Sequence, residues 1–331
     1  MSASTKRIIV TGGSGFIGVH LIEKLIKQNY IVLNLDIKPP VDNVNLASWR
    51  RVSIINKDQL RIQILDFDPH YIVHLAATTT QDAKSIDDFE VNIKGTQNLL
   101  DISSTLTNLK KFVFTSTQYV NSPGYPISEI LEELRPYGLY GESKLFGEKM
   151  IRDSLQNSSW TIIRPTTIWG PWHPILVKGL WKQILKGRYF HPKRDSAVKA
   201  YGYVKNSVWQ IIGIMEMENK FTDKRVFYIG DDNILQDRWV RGFVTRLTGQ
   251  KMRKIPRIVL YIISEIGERL NKLGVKFPLY RSRYRNLVTS NPSPLEATLE
   301  LLGPSPIALE IAVEETCSWL EQMNGMTRRL D

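Results

Sequence analysis

Three groups of residues in this 331-residue chain have the types and spacing to do chemistry. Tyr140 and Lys144 stand four apart in the helical stretch LYGESKLFGEKM, so both side chains share one helix face. A neighbouring ammonium stabilises tyrosinate and lowers the phenol from its ordinary value of about 10, which lets tyrosine act as a base near neutral pH. The same spacing recurs at Tyr189…Lys193 and Tyr201…Lys205. The first encloses Pro192 and the second lies in a strand-like stretch, so neither presents such a face. Upstream, KFVFTSTQYV ends in hydroxyls at Ser116 and Thr117. Ligands bind at the carboxyl ends of strands in open α/β sheets, and a hydroxyl there can bridge a substrate oxygen and the tyrosine oxygen. Thr117 could equally cap a turn.

The third group is Thr11-Gly-Gly-Ser-Gly-Phe-Ile-Gly18, in which Gly12, Gly15 and Gly18 have GxxGxxG spacing. It follows an apolar run and opens a helical pattern. That is the context a dinucleotide requires: glycine lets the backbone approach a pyrophosphate, whose charge lies against the helix N-terminus. Asp36 stands at the end of the next strand pattern. A carboxylate there accepts from both ribose hydroxyls and repels a 2′-phosphate, so NAD is expected over NADP, with Lys38 working slightly against that preference.

These residues need a scaffold of alternating strands and helices. Arg7–Gly12, Tyr30–Asp36, Arg51–Ile55, Tyr71–Ala77, Lys111–Thr117 and Trp160–Pro165 read as six strands, and their continuous apolar character marks a parallel sheet covered on both faces. Phe16–Gln28, Ser85–Ser104 and Leu139–Asp153 read as helices between them. Beyond Pro165, helices are expected at Ile175–Lys186, Asn206–Met217, Asp237–Thr248, Ile255–Leu273 and from Ile307 to about Met323. Val226–Gly230 reads as a strand, and Tyr189–Lys205 as a basic loop.

The composition is that of a globular protein, with 42% apolar and 23% charged residues. A lone Cys317 and five scattered histidines give neither a disulfide framework nor a structural zinc site, so no metal is expected, and a reducing, cytoplasmic setting fits. The N-terminus lacks the apolar run of a signal peptide, and the longest purely aliphatic or aromatic run, Ile258 to Ile263, is too short to span a bilayer. The net charge of +11 is uneven: residues 1–150 carry 16 basic and 16 acidic side chains, and residues 178–285 carry 24 against 9. An acidic partner is therefore expected for the second half.

Taken in order, these motifs resemble the extended short-chain dehydrogenase/reductase family, the NAD-dependent epimerase/dehydratase group that acts mainly on nucleotide sugars. TGGSGFIG resembles its cofactor loop, His74–Ala77 its fourth-strand segment, and Asn92 to Leu100 the following helix. FVFTSTQYV, YGESK, IIRPTTIWGP and the closing LLGPSPIALEIAVEETCSWL complete the series. The resemblance implies an α/β fold: a Rossmann-type doubly wound parallel sheet in residues 1–165, and in residues 166–331 a smaller C-terminal α/β substrate lobe with segments returning to the first. It implies Thr117, Tyr140 and Lys144 as the catalytic set. Gly12, Gly15, Phe16, Ile17, Gly18, Asp36, Ile37, Leu75, Ala76, Ala77, Asn92, Pro165 and Thr166 would hold NAD together with Tyr140 and Lys144. Thr78, Thr79, Gln118, Thr167 and Lys199 would face the substrate, with Arg188 and Arg194 as further candidates for its phosphates. Relatives dimerise through helices corresponding to 85–104 and 139–153, so a homodimer is expected.

Departures from the family pattern narrow the chemistry. Where its dehydratases and decarboxylases place an acid after the catalytic threonine, this chain has Gln118 and Tyr119, neither a plausible base near pH 7. A C4-type epimerase or a keto-sugar reductase is therefore expected over a 4,6-dehydratase. Ile55 stands where an Asp commonly meets adenine, and Lys205-Asn206 replaces an acidic pair. A dehydrogenase of a sterol or lipid-linked substrate and a non-catalytic NAD-binding regulator are the alternatives. The basic helix at 255–273 has the pattern of an interfacial helix, but the preferred reading is a lid or outer face of the substrate lobe. Nucleic acid is not expected, because the basic stretches match no recognisable reader.

Overall fold

The computed structural model describes residues 6–327, apart from 42–44, 81–82, 129, 157 and 194–195. The chain divides into two compact units. Unit one comprises Met1–Thr166, Val204–Gly230 and Pro294–Pro304; unit two comprises Thr167–Tyr203, Asp231–Ser293 and Ser305–Asp331.

Unit one is built on β1 (Arg7–Thr11), β2 (Ile31–Asp36), β3 (Trp49–Arg51), β4 (Tyr71–His74), β5 (Lys111–Thr115) and β6 (Trp160–Pro165), joined by a later strand, Arg225–Ile229. Their order across the sheet is β3, β2, β1, β4, β5, β6 and then Arg225–Ile229. All neighbours are parallel. This is the doubly wound Rossmann arrangement, whose switch point lies between β1 and β4. Helices α1 (Phe16–Lys27), α2 (Lys57–Phe67), α3 (Thr96–Ser103) and α4 (Gly138–Ser154) form crossovers. Every residue of β4 and β5 is buried, which is why these strands read as unbroken apolar runs. Ile9, Leu35, Ile72, Leu99, Phe112 and Ile162 belong to one buried cluster that ties the sheet to its helices.

Three expected elements are corrected. The third strand is shorter and earlier than Arg51–Ile55, because only Trp49–Arg51 pairs with Asn34–Asp36; the carbonyls of Ile54 and Ile55 accept instead from Asn98 Nδ2, each at 3.0 Å. The expected helix 85–104 is broken into a 3-10 turn (Ile86–Phe89), a π turn (Val91–Gly95) and α3. A Cβ on Gly95 would stand 2.6 Å from Ile54 Cδ1, so a larger residue in the π turn would have to push the Ile54 side chain aside. Finally, Tyr189–Lys205 contains a strand, Val198–Tyr203. It is buried from Lys199 onward and therefore lacks the alternation that marks a half-exposed strand.

In unit two that strand lies between Asp232–Leu235, antiparallel, and Thr167–Trp169, parallel. The core beside it is aromatic. Trp169 packs at 5.1 Å from Tyr203 and 5.3 Å from Phe243, and Tyr201 stacks on Trp239 at 4.5 Å. Helices Gln236–Thr248, Arg257–Lys272, Arg281–Val288 and Leu309–Thr327 surround it.

Candidate active site

The glycine loop after β1 is dictated by space. Gly12 has φ +71°, and a Cβ on it would lie 2.6 Å from the Ala76 backbone; one on Gly18 would lie 2.5 Å from Gly13 Cα. Gly12 N donates to Leu35 O at 2.9 Å and Gly15 N to Gly12 O at 3.1 Å, closing the turn. Helix α1 begins after Gly15 with no side-chain cap and no acidic residue in its first turn, which leaves a helix N-terminus suited to an anion. Phe16 and Ile17 are half-buried there, and Ile37 is exposed. At the end of β2 the Asp36 carboxylate accepts from Ser14 N and from Lys38 N, both at 3.0 Å, and is thereby held beside the loop. This cradle and carboxylate fit the pyrophosphate and ribose of NAD.

Thr117 follows β5 on a buried turn. Helix α4 lies directly on that turn: a Cβ on Gly141 would stand 2.2 Å from Tyr119 O, a backbone atom that has little room to yield. This close approach brings Tyr140 to Thr117, and their side chains are hydrogen-bonded. Thr117 also caps the turn Gln118–Val120, its Oγ1 accepting from Tyr119 N at 3.3 Å. Capping the turn and meeting the tyrosine are therefore compatible at Thr117.

Burial pushes the Tyr140 phenol up to about 12; the bond to Thr117 pulls it down and nearby Tyr119 pushes it further up. Lys144 is 2% exposed, and burial drives its ammonium down to about 7 against the opposing pull of Glu148. Its Nζ lies 4.7 Å over the Phe114 ring. In the protein alone desolvation thus outweighs the expected lowering of the phenol. Bound NAD supplies the hydride acceptor and, when oxidised, a positive charge that favours tyrosinate.

Sequence reading missed a buried polar network one turn along α4. Arg164 donates from Nε to Glu148 Oε1 at 2.9 Å and from Nη2 to Oε2 at 2.8 Å. Ser116 Oγ donates to Glu148 Oε1 at 2.6 Å, and Arg164 Nη1 to the Tyr228 hydroxyl at 3.0 Å. The two charged side chains are 3% and 0% exposed. The available signal was an arginine inside the otherwise apolar run of β6. His74 was also missed as a bridge: its ring nitrogens pair with Thr11 Oγ1 at 2.7 Å and Thr96 Oγ1 at 3.0 Å. Burial, with Lys144 adding to it, brings His74 down to about 3, so it stays neutral.

The other expected residues fall as follows. Asn92 sits in the π turn, where its Oδ1 accepts from Thr78 N at 2.7 Å and its Nδ2 donates to Thr78 O at 3.0 Å and Ser143 Oγ at 2.9 Å. It ties the loop after β4 to α4. On that loop Leu75 N and Ala76 N donate to Thr11 O and Oγ1, Ala77 is half-buried, and Thr79 is exposed. Gln118 is buried beside Thr117. Pro165 ends β6, and Thr166 donates from N and Oγ1 to Ile229 O at 3.0 and 2.9 Å. In unit two, Thr167 opens its short strand. Lys199 is buried, with its ammonium on the carbonyl and side-chain oxygens of Asn286, and burial drives it down to about 8. Arg188 is exposed, and Arg194 lies outside the described residues. Among the described residues no cluster could hold a metal.

Comparison with known proteins agrees with this geometry. The model of the NAD-dependent epimerase/dehydratase family matches residues 8–230. The chain is 32% identical over 187 residues to a UDP-N-acetyl-alpha-D-glucosaminuronate decarboxylase of Bacillus cytotoxicus, covering 50% of this chain and 56% of that one. It is 28% identical over 228 residues to a 3 beta-hydroxysteroid dehydrogenase/Delta 5→4-isomerase of Mycobacterium tuberculosis, covering 61% and 58%. The matches thus span only about half the length of these curated relatives. The crystal structure of a Thermotoga maritima UDP-glucose 4-epimerase with UDP-glucose superposes with a TM-score of 0.75 at 22% identity, over 96% of this chain and 99% of that one. With a family match over most of the chain, a glycine cradle that fits the dinucleotide, and threonine, tyrosine and lysine gathered at the sheet edge, the chain belongs to the NAD-dependent epimerase/dehydratase family.

Proposed function

We propose that the protein is an NAD-dependent enzyme acting on a hydroxyl or keto carbon of a nucleotide sugar, either as a C4-type epimerase, which oxidises and re-reduces that carbon, or as a keto-sugar reductase, which only reduces it. The observation that carries this reading is how the buried carboxylate on α4 beside the proposed catalytic pair is used. Glu148, one turn beyond Lys144, is committed to Arg164 and Ser116, and the positions after Thr117 are Gln118 and Tyr119. Elimination needs a further acid or base, whereas hydride transfer needs only the tyrosine. Tyr140 takes the proton of the sugar hydroxyl, Thr117 holds that oxygen, and Lys144 stabilises the tyrosinate. Tyr140 returns the proton when the carbonyl is reduced, on the opposite face in an epimerase. Thr78, Thr79 and Gln118 line the sugar. Thr167 and Lys199 serve the phosphates, Lys199 by exchanging Asn286 for phosphate oxygens. A homodimer through 85–104 and 139–153 belongs to the same reading.

A second reading, oxidation of a sterol or lipid hydroxyl by the same three residues, is favoured by the likeness to the hydroxysteroid dehydrogenase. The test is to incubate the protein and NAD with a panel of nucleotide sugars and of 3β-hydroxysteroids, following products by mass and NMR. Epimer or keto-sugar formation supports the first reading. Turnover of the steroid alone replaces it with the second, and a 4,6-dehydrated product overturns the argument from Glu148. In the same series, Lys199→Ala should weaken nucleoside diphosphate binding; an unchanged Kd removes Lys199 from the site.

A further inference from the structure

Helix Arg257–Lys272 is amphipathic in the opposite sense to a helix that packs on a core. Its buried residues are Leu260, Ser264 and Gly267. A Cβ on Gly267 would stand 2.0 Å from Leu279 O and 2.6 Å from the Phe277 ring, so this side is closed by the segment that follows. At about 100° per residue the other side carries Ile258, Ile262 and Ile266 one turn apart. They are 63%, 51% and 51% exposed, and Leu273 at 79% and Val275 at 54% prolong the stripe past the helix end. A globular helix turns such a stripe toward its core; this one turns it to solvent.

The segment that carries the stripe is cationic. Residues 251–290 contain ten Lys and Arg against two Glu, and one of the two, Glu265, is taken up by Arg281 at 2.6 Å. Lys251, Arg253, Arg269, Lys272 and Lys276 belong to this excess. A partner must therefore offer apolar contact along a ridge and negative charge beside it. An anionic bilayer has both in one plane: acyl chains below and phosphates at headgroup level. The helix has 16 residues and spans about 24 Å, and no described helix is long and apolar enough to cross a membrane.

We propose that helix Arg257–Lys272 and the turn after it lie in the headgroup layer of an anionic membrane. Ile258, Ile262, Ile266, Leu273 and Val275 enter the acyl boundary, and the basic side chains extend along their stems to lipid phosphates. The inference is independent of which substrate is turned over.

The test is sedimentation of the full chain with neutral phosphatidylcholine vesicles and with vesicles containing about 30% phosphatidylglycerol. The protein should pellet with the anionic vesicles only, and less as salt rises. The double variant Ile262→Asp/Ile266→Asp should bind at least about tenfold more weakly while keeping its far-ultraviolet circular dichroism. Arg269→Glu/Lys272→Glu should bind more weakly with a shallower salt dependence. Wild-type protein that stays in the supernatant with both vesicles overturns the proposal, as does equal pelleting with neutral ones. An aspartate variant that pellets like wild type also overturns it. So does a wild-type dimer that the aspartate pair splits while vesicle binding is unchanged, since the stripe would then belong to a second copy.

Discussion

Two successive turns of α4 are buried alike and compensated in opposite ways. Glu148 is fully buried and satisfied by a bidentate arginine and a serine hydroxyl. Lys144, four residues earlier and almost as buried, lies over an aromatic face and has lost much of its hold on a proton. A buried ion pair with its hydrogen bonds made resists change, whereas a buried group without that compensation is pushed toward a pKa at which protons move. The helix thus carries a fixed end and, under the proposed function, a reactive end.

The largest effect that would test this contrast is on turnover. Tyr140→Phe should lower kcat by about 10³-fold or more while NAD binding, read by calorimetry, stays within a few-fold; persistent turnover would break the assignment of the reactive end. Next comes the fixed end. Arg164→Met leaves Glu148 buried without its partner and should cost about 3–5 kcal/mol in urea unfolding. Adding Glu148→Gln should recover most of that loss. If the single variant is as stable as wild type, the pair does not brace the helix.

The smallest effect has the opposite sign. Because burial lowers Lys144 to about 7 from its ordinary value of about 10.5, the unfolded chain holds the proton across that window and the folded one does not. Stability should therefore rise with pH from about 7 to 10.5, and the full cost of the buried charge should be felt below pH 7. Lys144→Met should raise Tm by about 2–5 °C at pH 6, with a smaller gain at pH 9.5, while abolishing turnover. Scanning calorimetry at the two pH values checks this, and a variant less stable at pH 6 would contradict the contrast.

What could be read from sequence was what local rules govern. Gly12 and Gly18 follow from backbone proximity, Asp36 from its distance past the loop, and Tyr140 and Lys144 from helix periodicity. Burial by both layers made β4, β5 and β6 visible as apolar runs. Glu148 and Arg164 could not be paired in advance, because their contact depends on how α4 crosses β6. The amide of Asn92, a residue expected at the cofactor, holds Thr78 and Ser143; composition cannot say which of its neighbours an amide will choose. The stripe of 257–272 was evident as a period, but a period does not reveal which side of a helix faces out. Only the end of the strand Val198–Tyr203 is strand-like in sequence, and its pairing is not legible because its neighbours are far apart in the chain, at 167–169 and 232–235.

The interleaving of the two units has a consequence for how the molecule is made. The chain leaves the first unit after Thr166, returns for Val204–Gly230, and returns again for Pro294–Pro304. As synthesis proceeds from the N-terminus, β6 remains an open edge until Arg225–Ile229 has emerged to pair with it. The last contribution, Thr298 Oγ1 donating to Tyr228 O at 2.7 Å, waits for nearly the whole polypeptide. A ribosome halted after the residues that carry the chemistry would hold an unfinished sheet with a sticky border, so the nucleotide-binding half depends on its own distal sequence to be sealed.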